Sequence, residues 1–276
     1  MTATVSPLLR GHPKLARAWF RGPAWPSWQF SFDDVSGLTM ADGVSQPVQR
    51  TVLIEARGLQ RTDERTGNEL LRRTDFQLRS GDRVSLIGSS GSGKSVFLRT
   101  LAKLDASSAG EIRWRDRGVA AEDVPLYRHQ VCYLPQRPSL IEGSVEDNLR
   151  FPYSLKTLRH LAFDRSRVIG LLELTGKEQG FLEKRGTELS GGEAQVAALI
   201  RALQFDPVVL LLDEPTAALD PASAEAVERL ILGWCEMKAA TEHAFIWVSH
   251  DHGQARRVSN LMLQMQAGSL QGALNP

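Results

Sequence analysis

Eight consecutive residues, Gly88-Ser89-Ser90-Gly91-Ser92-Gly93-Lys94-Ser95, fit the pattern G-x-x-x-x-G-K-[ST]. Glycines let a backbone close around phosphate oxygens, so that successive N–H groups point at the anion. A helix starting at such a turn adds the positive end of its dipole. In this pattern Lys94 is expected on the β- and γ-phosphates of a nucleoside triphosphate, and the Ser95 hydroxyl on Mg²⁺. A flexible Gly/Ser turn would share the composition. Context separates the two: the short apolar run Arg83–Ile87 leads into the loop, and a helical pattern over Lys94–Lys103 leaves it. A second cluster stands at Val208-Val209-Leu210-Leu211-Leu212-Asp213-Glu214, where a wholly apolar run ends in two carboxylates. Beside a triphosphate, Asp213 is placed to hold Mg²⁺ through water, and Glu214 to polarise an attacking water as general base. A strand ending in acids is common by itself; this one draws its meaning from the phosphate loop.

A third cluster, Leu189-Ser190-Gly191-Gly192-Glu193, opens a helical pattern that ends at Arg201-Ala202-Leu203. Ser190 suits an N-cap, and with the glycine amides it makes another anion site at a helix start. Ser190 lies 23 residues before Asp213. At this point the sequence resembles the ATP-binding cassette (ABC) ATPases, whose signature is L-S-G-G-[QE]. The resemblance covers residues 51 to about 272.

It implies ATP as the nucleotide, held by Gly88, Ser89, Ser90, Gly91, Ser92, Gly93, Lys94, Ser95 and Val96. Gln136, in Tyr133-Leu134-Pro135-Gln136, matches the glutamine that senses Mg²⁺ and the γ-phosphate and faces a membrane subunit. His250, in Trp247-Val248-Ser249-His250-Asp251, matches the switch histidine on the γ-phosphate, although a satisfied strand-end histidine would look the same. Asp220 matches the D-loop aspartate and, standing before Pro221, also suits a helix cap. Glu214, His250 and Gln136 are thereby implied as the catalytic groups, with Ser95, Gln136 and Asp213 around Mg²⁺. The signature residues Ser190, Gly191, Gly192 and Glu193 would act in trans, on ATP held by a second copy in a head-to-tail dimer. Three positions depart from the pattern. Val96 replaces the usual Thr, Ala217 a usual Ser, and Thr62 or Asp63 falls where an aromatic commonly stacks on adenine.

These groups need a scaffold that brings them to one place. Strands are expected at Thr51–Arg57, Asp75–Leu78, Arg83–Ile87, Glu111–Trp114, Val131–Leu134, Val208–Leu212 and Ala244–Val248. Helices are expected at Lys94–Lys103, Val145–Arg150 (capped by Ser144), Leu155–Leu174, Gly191–Leu203, and from Pro221 to about Ala239. The alternation predicts an α/β fold with a mostly parallel sheet and ligands at the carboxyl ends of its strands. The resemblance specifies a phosphate-loop ATPase with an antiparallel β subdomain and an inserted helical subdomain at about residues 137–190.

Composition excludes little but is consistent. Hydrophobic residues at 42% and charged residues at 24% are ordinary for a globular domain, and a net charge of +1 gives no reason to expect nucleic acid. Cys132 and Cys235, far apart and without nearby ligands, argue against zinc and against disulfides, as in a reducing compartment. The most apolar stretch, Ala194–Leu212, is broken by Gln195, Arg201, Gln204, Asp206 and Pro207, so a membrane-spanning part is expected from another chain. No apolar signal segment opens the sequence. Residues 1–50, with Pro7, Pro13, Pro23, Pro26, Pro47 and three tryptophans, read as a disordered extension, or as a stretch upstream of a start at Met40. A membrane contact through Trp and Arg would need an amphipathic helix, which Pro23 and Pro26 oppose.

The segments Asp147-Asn148-Leu149-Arg150-Phe151-Pro152 and Arg201-Ala202-Leu203-Gln204-Phe205 resemble the ATPases of bacterial iron-exporter and plant aluminium-tolerance systems. That implies a cytoplasmic ATPase on the inner face of the cell membrane, coupled to a separate polytopic permease, with export of a metal ion as one reading. Importer ATPases for phosphate or amino acids share every motif, and a soluble ABC ATPase of cofactor assembly needs no permease. Both stay open as alternatives.

Overall fold

The computed structural model describes residues 50–237 and 243–274, all within the unit Arg50–Pro276. Its strands are β1 Val52–Thr62, β2 Glu69–Arg79, β3 Arg83–Ile87, β4 Ala109–Trp114, β5 Arg117–Gly118, β6 Val131–Leu134, β7 Val209–Leu212, β8 Ala244–Val248, β9 Leu261–Gln266 and β10 Ser269–Leu274. Its helices are α1 Lys94–Leu101, α2 Val124–Gln130, α3 Val145–Arg150, α4 Arg165–Leu174, α5 Gly191–Leu203, α6 Pro221–Met237 and α7 His252–Val258. One sheet runs β10-β9-β3-β8-β7-β6, with β10 antiparallel to β9 and every other pairing parallel. A second, antiparallel sheet runs β2-β1-β4-β5. Between β6 and β7 the described chain is helix, 3₁₀ turn and loop.

Every residue of β7 and β8 is buried, as strands covered on both faces must be. Each such Val, Leu, Ile or Phe contributes about 1.5–3 kcal/mol by leaving water. A parallel sheet gathers its carboxyl ends on one edge. β3, β6, β7 and β8 therefore deliver the phosphate loop, Pro135-Gln136, Asp213-Glu214 and Ser249-His250 to the same edge.

Elements α2, α7 and β5 are additional to those expected, and β1 and β2 run further than Thr51–Arg57 and Asp75–Leu78; two other differences show their physical reason. The helix expected over Leu155–Leu174 begins only at Arg165, because Asp164 caps it by accepting the Arg167 N–H at 3.0 Å. Before the cap the chain turns back, packing the Phe163 ring 5.7 Å from Tyr153 and 4.1 Å from the Arg150 guanidinium. The β9–β10 hairpin was not expected. Its two-residue turn puts Ala267 at φ 46° and Gly268 at φ 77°, a conformation that Ala rarely announces in sequence. The expectations for the stretch up to residue 50 lie, Arg50 apart, outside the described residues, as does the end of the helix expected to reach Ala239.

Candidate nucleotide site

The phosphate loop joins β3 to α1 and is wedged between two strands that are remote in sequence. At Gly88 (φ 153°) a Cβ would run into the Met265 carbonyl of β9. At Gly93 (φ 105°) it would lie 2.9 Å from the Leu70 carbonyl of β2. Glycine is therefore required on both flanks by close approach as well as by dihedral angle. Lys94 is buried at 5% exposure, and its ammonium donates to the Gly88 and Ser89 carbonyls, each at 2.9 Å. Burial pulls its pKa below the usual lysine value, while the charges of Glu214 and Asp213 push it back up. Both hydrogen-bond acceptors are neutral, so a phosphate entering the loop would favour the charged form that burial disfavours.

Asp213, at the end of β7, accepts two hydroxyls: Ser95 Oγ donates to Oδ1 at 3.0 Å and Tyr133 OH to Oδ2 at 2.9 Å. The Tyr133 phenol is pushed above its ordinary pKa by burial and by the Asp213 charge. Glu214 takes a left-handed backbone, φ 49°, which costs a non-glycine residue on the order of 1 kcal/mol. Its carboxylate accepts the Gln136 amide at 3.0 Å and the His250 Nε2–H at 2.5 Å. A carboxylate can only accept, so His250 carries its proton on Nε2 in this contact. Lys94, Ser95, Val96, Gln136, Glu214 and His250 all line one cavity of about 680 Å³.

The signature segment lies apart from that cavity. Ser190 caps α5 by accepting the Glu193 N–H at 3.2 Å, while the Glu193 carboxylate accepts the Ser190 N–H at 3.1 Å. Glu193 also pairs with Lys184 at 2.8 Å and Lys177 at 3.3 Å. The Lys184 hydrogen bond is the largest influence in holding its carboxyl down at about 2. Asp220 accepts the Ser223 N–H at 3.0 Å and so caps α6. The structure thus unites the phosphate loop with Gln136, Asp213, Glu214 and His250. It leaves Ser190, Gly191, Gly192, Glu193 and Asp220 outside the cavity of the same chain.

Several contributors escaped the sequence reading. Nothing in the spacing around Gln136 marks Tyr133; its place on β6, beside β7, puts its hydroxyl on Asp213. Gln254, at 6% exposure, bonds Ser249 Oγ, Thr216 Oγ1 and Glu228 Oε1, each at 2.9 Å, and ties the segment after β8 to the segment after β7. The two segments likened to iron-exporter ATPases bond each other. Gln204 donates to the Leu149 carbonyl at 2.8 Å, and Arg201 reaches Asn148 Oδ1 at 3.5 Å and the Ser139 carbonyl at 2.8 Å. Neither Thr62 nor Asp63 lines the cavity; Leu70 and Arg72 of β2 do, and its described lining holds no Phe, Tyr or Trp.

Among the described residues no helix is long and apolar enough to cross a membrane. The family model described as ABC transporter matches residues 71–217. Protein STAR1 of Oryza sativa subsp. japonica is 37% identical over 223 residues, 81% of this chain but 63% of STAR1, so the chain spans less than two thirds of that relative. The Probable iron export ATP-binding protein FetA of Escherichia coli is 35% identical over 206 residues, 74% of this chain and 89% of FetA. A solved ATP-binding cassette, dimeric and bound to ADP and Pi, superposes with TM-score 0.71 at 23% identity, covering 81% of this chain and 98% of that one, and so shares the fold. A phosphate loop, two carboxylates, a glutamine and a histidine on one sheet edge, in a chain that matches this family model over more than half its length, make the protein a member of the ABC transporter family, its ATP-binding and ATP-hydrolysing component.

Proposed function

We propose that residues 51–276 are the ATPase domain, with a helical subdomain at about 137–190, and that the phosphate loop Gly88–Ser95 with Val96 holds ATP. The observation that carries the catalytic reading is the Glu214 carboxylate, held by Gln136 at 3.0 Å and His250 at 2.5 Å on the wall of the cavity that also contains Lys94. Glu214 takes the proton of the attacking water. Gln136 and His250 fix its carboxylate and present their polar groups to the γ-phosphate. The facing Ser95 hydroxyl and Asp213 carboxylate, 3.0 Å apart and both oxygen donors, suit Mg²⁺, which takes one or two protein oxygens and fills its shell with phosphate and water. Ser95, Asp213 and Gln136 are the residues that would hold it; bound, it would offset negative charge on the phosphates.

The signature residues Ser190, Gly191, Gly192 and Glu193 stand outside the cavity of their own chain, which supports a role in trans, on ATP held by a second copy, with Asp220 near the same interface. The cassette works on the inner face of the cell membrane beside a permease supplied by another chain. For cargo, the likeness to FetA, with the resemblance of the segments Asp147–Pro152 and Arg201–Phe205, favours export of a metal ion.

Glu214→Gln tests the chemistry. It should bind ATP but lose turnover at least 100-fold, the scale of general-base catalysis; phosphate release near the wild-type rate would end the assignment. Affinity purification of the tagged protein from gently solubilised membranes tests the setting. A stoichiometric polytopic partner is expected, whereas soluble partners alone would move the ATPase to cofactor assembly, and an importer permease would overturn the export reading.

A further inference from the structure

We infer that Arg72 supplies the platform for the nucleobase. The inference rests on the nucleotide site proposed above and concerns the part of the cavity beyond the phosphates. The backbone of β2 at residues 70–72 abuts the phosphate loop. The Leu70 carbonyl occupies the space a Cβ of Gly93 would need, and the Arg72 N–H donates to the Gly268 carbonyl at 2.8 Å. Alternation along β2 sends Leu71 into the core at 0% exposure and turns Leu70 and Arg72 to the opposite face, where both line the cavity. A nucleotide whose phosphates lie on Lys94 and Ser95 must lay its base against a wall. The β2 wall offers Glu69, Leu70 and Arg72, and the cavity's described lining has no Phe, Tyr or Trp.

Arg72 has the chemistry for that task. A guanidinium is a flat, delocalised cation that stacks on π-faces, and it is weakly hydrated enough to do so at a surface. Its side chain is 58% exposed, so it is free to swing over a base. Glu69, 3.8 Å away, restrains the guanidinium without enclosing it. Leu70 adds apolar surface on the same side. Such a platform reads the face of a base, not its edge, so adenine and guanine are held alike.

The test is calorimetric binding of ATP, GTP and inorganic tripolyphosphate to the full chain and its variants. Arg72→Ala should weaken ATP and GTP by roughly 3- to 30-fold, the range of a cation–π contact, and leave tripolyphosphate unchanged. Arg72→Tyr should restore the loss, because it returns a stacking face, and Arg72→Lys should not, because it returns only a charge. Rescue by Lys and not Tyr, or equal weakening of tripolyphosphate, would make Arg72 a phosphate contact and overturn the inference, as would unchanged ATP affinity in Arg72→Ala. Lys94→Ala should lose all three ligands. If it retained them, the phosphate-loop reading would fall, and the Arg72 inference with it.

Discussion

Gly192, the second residue of α5, offers a sharp test of how the signature helix is seated. A Cβ on Gly192 would lie 2.5 Å from the Cβ of Ser223 and closer still to its hydroxyl, well inside van der Waals contact. Ser223 cannot easily step aside, because its backbone N–H is held by Asp220 at 3.0 Å in the cap of α6. Gly192→Ala should therefore cost about 1–3 kcal/mol of overpacking. Replacing glycine by alanine in a helix returns up to about 1 kcal/mol of conformational preference, so the single variant is destabilised by the remainder. Ser223→Gly removes the obstacle. In that background only the favourable preference is left, and Gly192→Ala becomes neutral or stabilising. The quantity predicted is the coupling between the two sites, about 1–3 kcal/mol, read from urea unfolding of the four proteins in the cycle. Distant, independent substitutions add to within about 0.5 kcal/mol, so a coupling below that would refute the packing argument. ATP hydrolysis measured on the same four proteins should follow the same pattern, lost in Gly192→Ala and regained in the double variant. Recovered stability without recovered hydrolysis would mean that the new methyl group obstructs the anion site itself.

Two further outcomes follow from the polar contacts. Tyr133→Phe removes one of the two hydroxyls on Asp213 (2.9 Å) without opening a cavity; if Asp213 holds Mg²⁺ as proposed, an outer partner of this kind commonly matters 10- to 100-fold. The Mg²⁺ concentration giving half-maximal ATP hydrolysis should rise by roughly 10-fold in a metal titration, with the unfolding midpoint little changed. For Glu193 the folded carboxyl sits at about 2 against an ordinary 4.5, so it binds its proton more weakly when folded. Its stabilisation is complete above about 4.5 and is lost as the pH falls towards about 2. Glu193→Gln should cost on the order of 1 kcal/mol at neutral pH, the scale of a partly exposed ion-pair network, and the difference from wild type should vanish as unfolding is measured at progressively lower pH across that window.

What could be read in the sequence was local. The phosphate loop announces itself because its glycines answer to local dihedral angles and its Lys94 and Ser95 stand at a fixed spacing, although the close approaches at Gly88 and Gly93 come from β9 and β2. Ser144, Ser190 and Asp220 are legible as caps because a cap acts on the next turn of chain. The run Val208–Leu212 reads as a buried parallel strand, observed over Val209–Leu212, because burial on both faces leaves no polar position. What could not be read depends on how the elements pair and pack, which no residue type announces by itself. Ala267 gives no sign that it will adopt φ 46°, since the demand comes from the pairing of β9 with β10. Leu155 belongs to a plausible apolar period, yet Asp164 and the packing of Phe163 under Tyr153 start the helix ten residues later, at Arg165. The role of Tyr133 follows from sheet order alone: β6 lies beside β7, which sets its hydroxyl against Asp213.

The same residues that make the site reactive also make it costly, and the scaffold must offset that. Glu214 holds a left-handed backbone at φ 49°, worth on the order of 1 kcal/mol of strain, with two hydrogen bonds on its carboxylate. Lys94 is buried against neutral carbonyls, which depresses its pKa. Neither arrangement would persist on a loose loop. Glu214 stands two residues beyond the end of β7, whose four buried side chains each contribute about 1.5–3 kcal/mol and fix where the chain must turn. Lys94 opens α1, whose Phe97, Leu98 and Leu101 are fully buried in the core. Strain at the sheet edge is thus held by burial close by along the chain. A triphosphate relieves the lysine's part of it by supplying the missing anion, whereas the strain at Glu214 is backbone geometry and stays with or without ligand. ATP should therefore stabilise the fold through Lys94, while the Glu214 carboxylate, proposed as the base, stays aimed by the sheet with or without nucleotide.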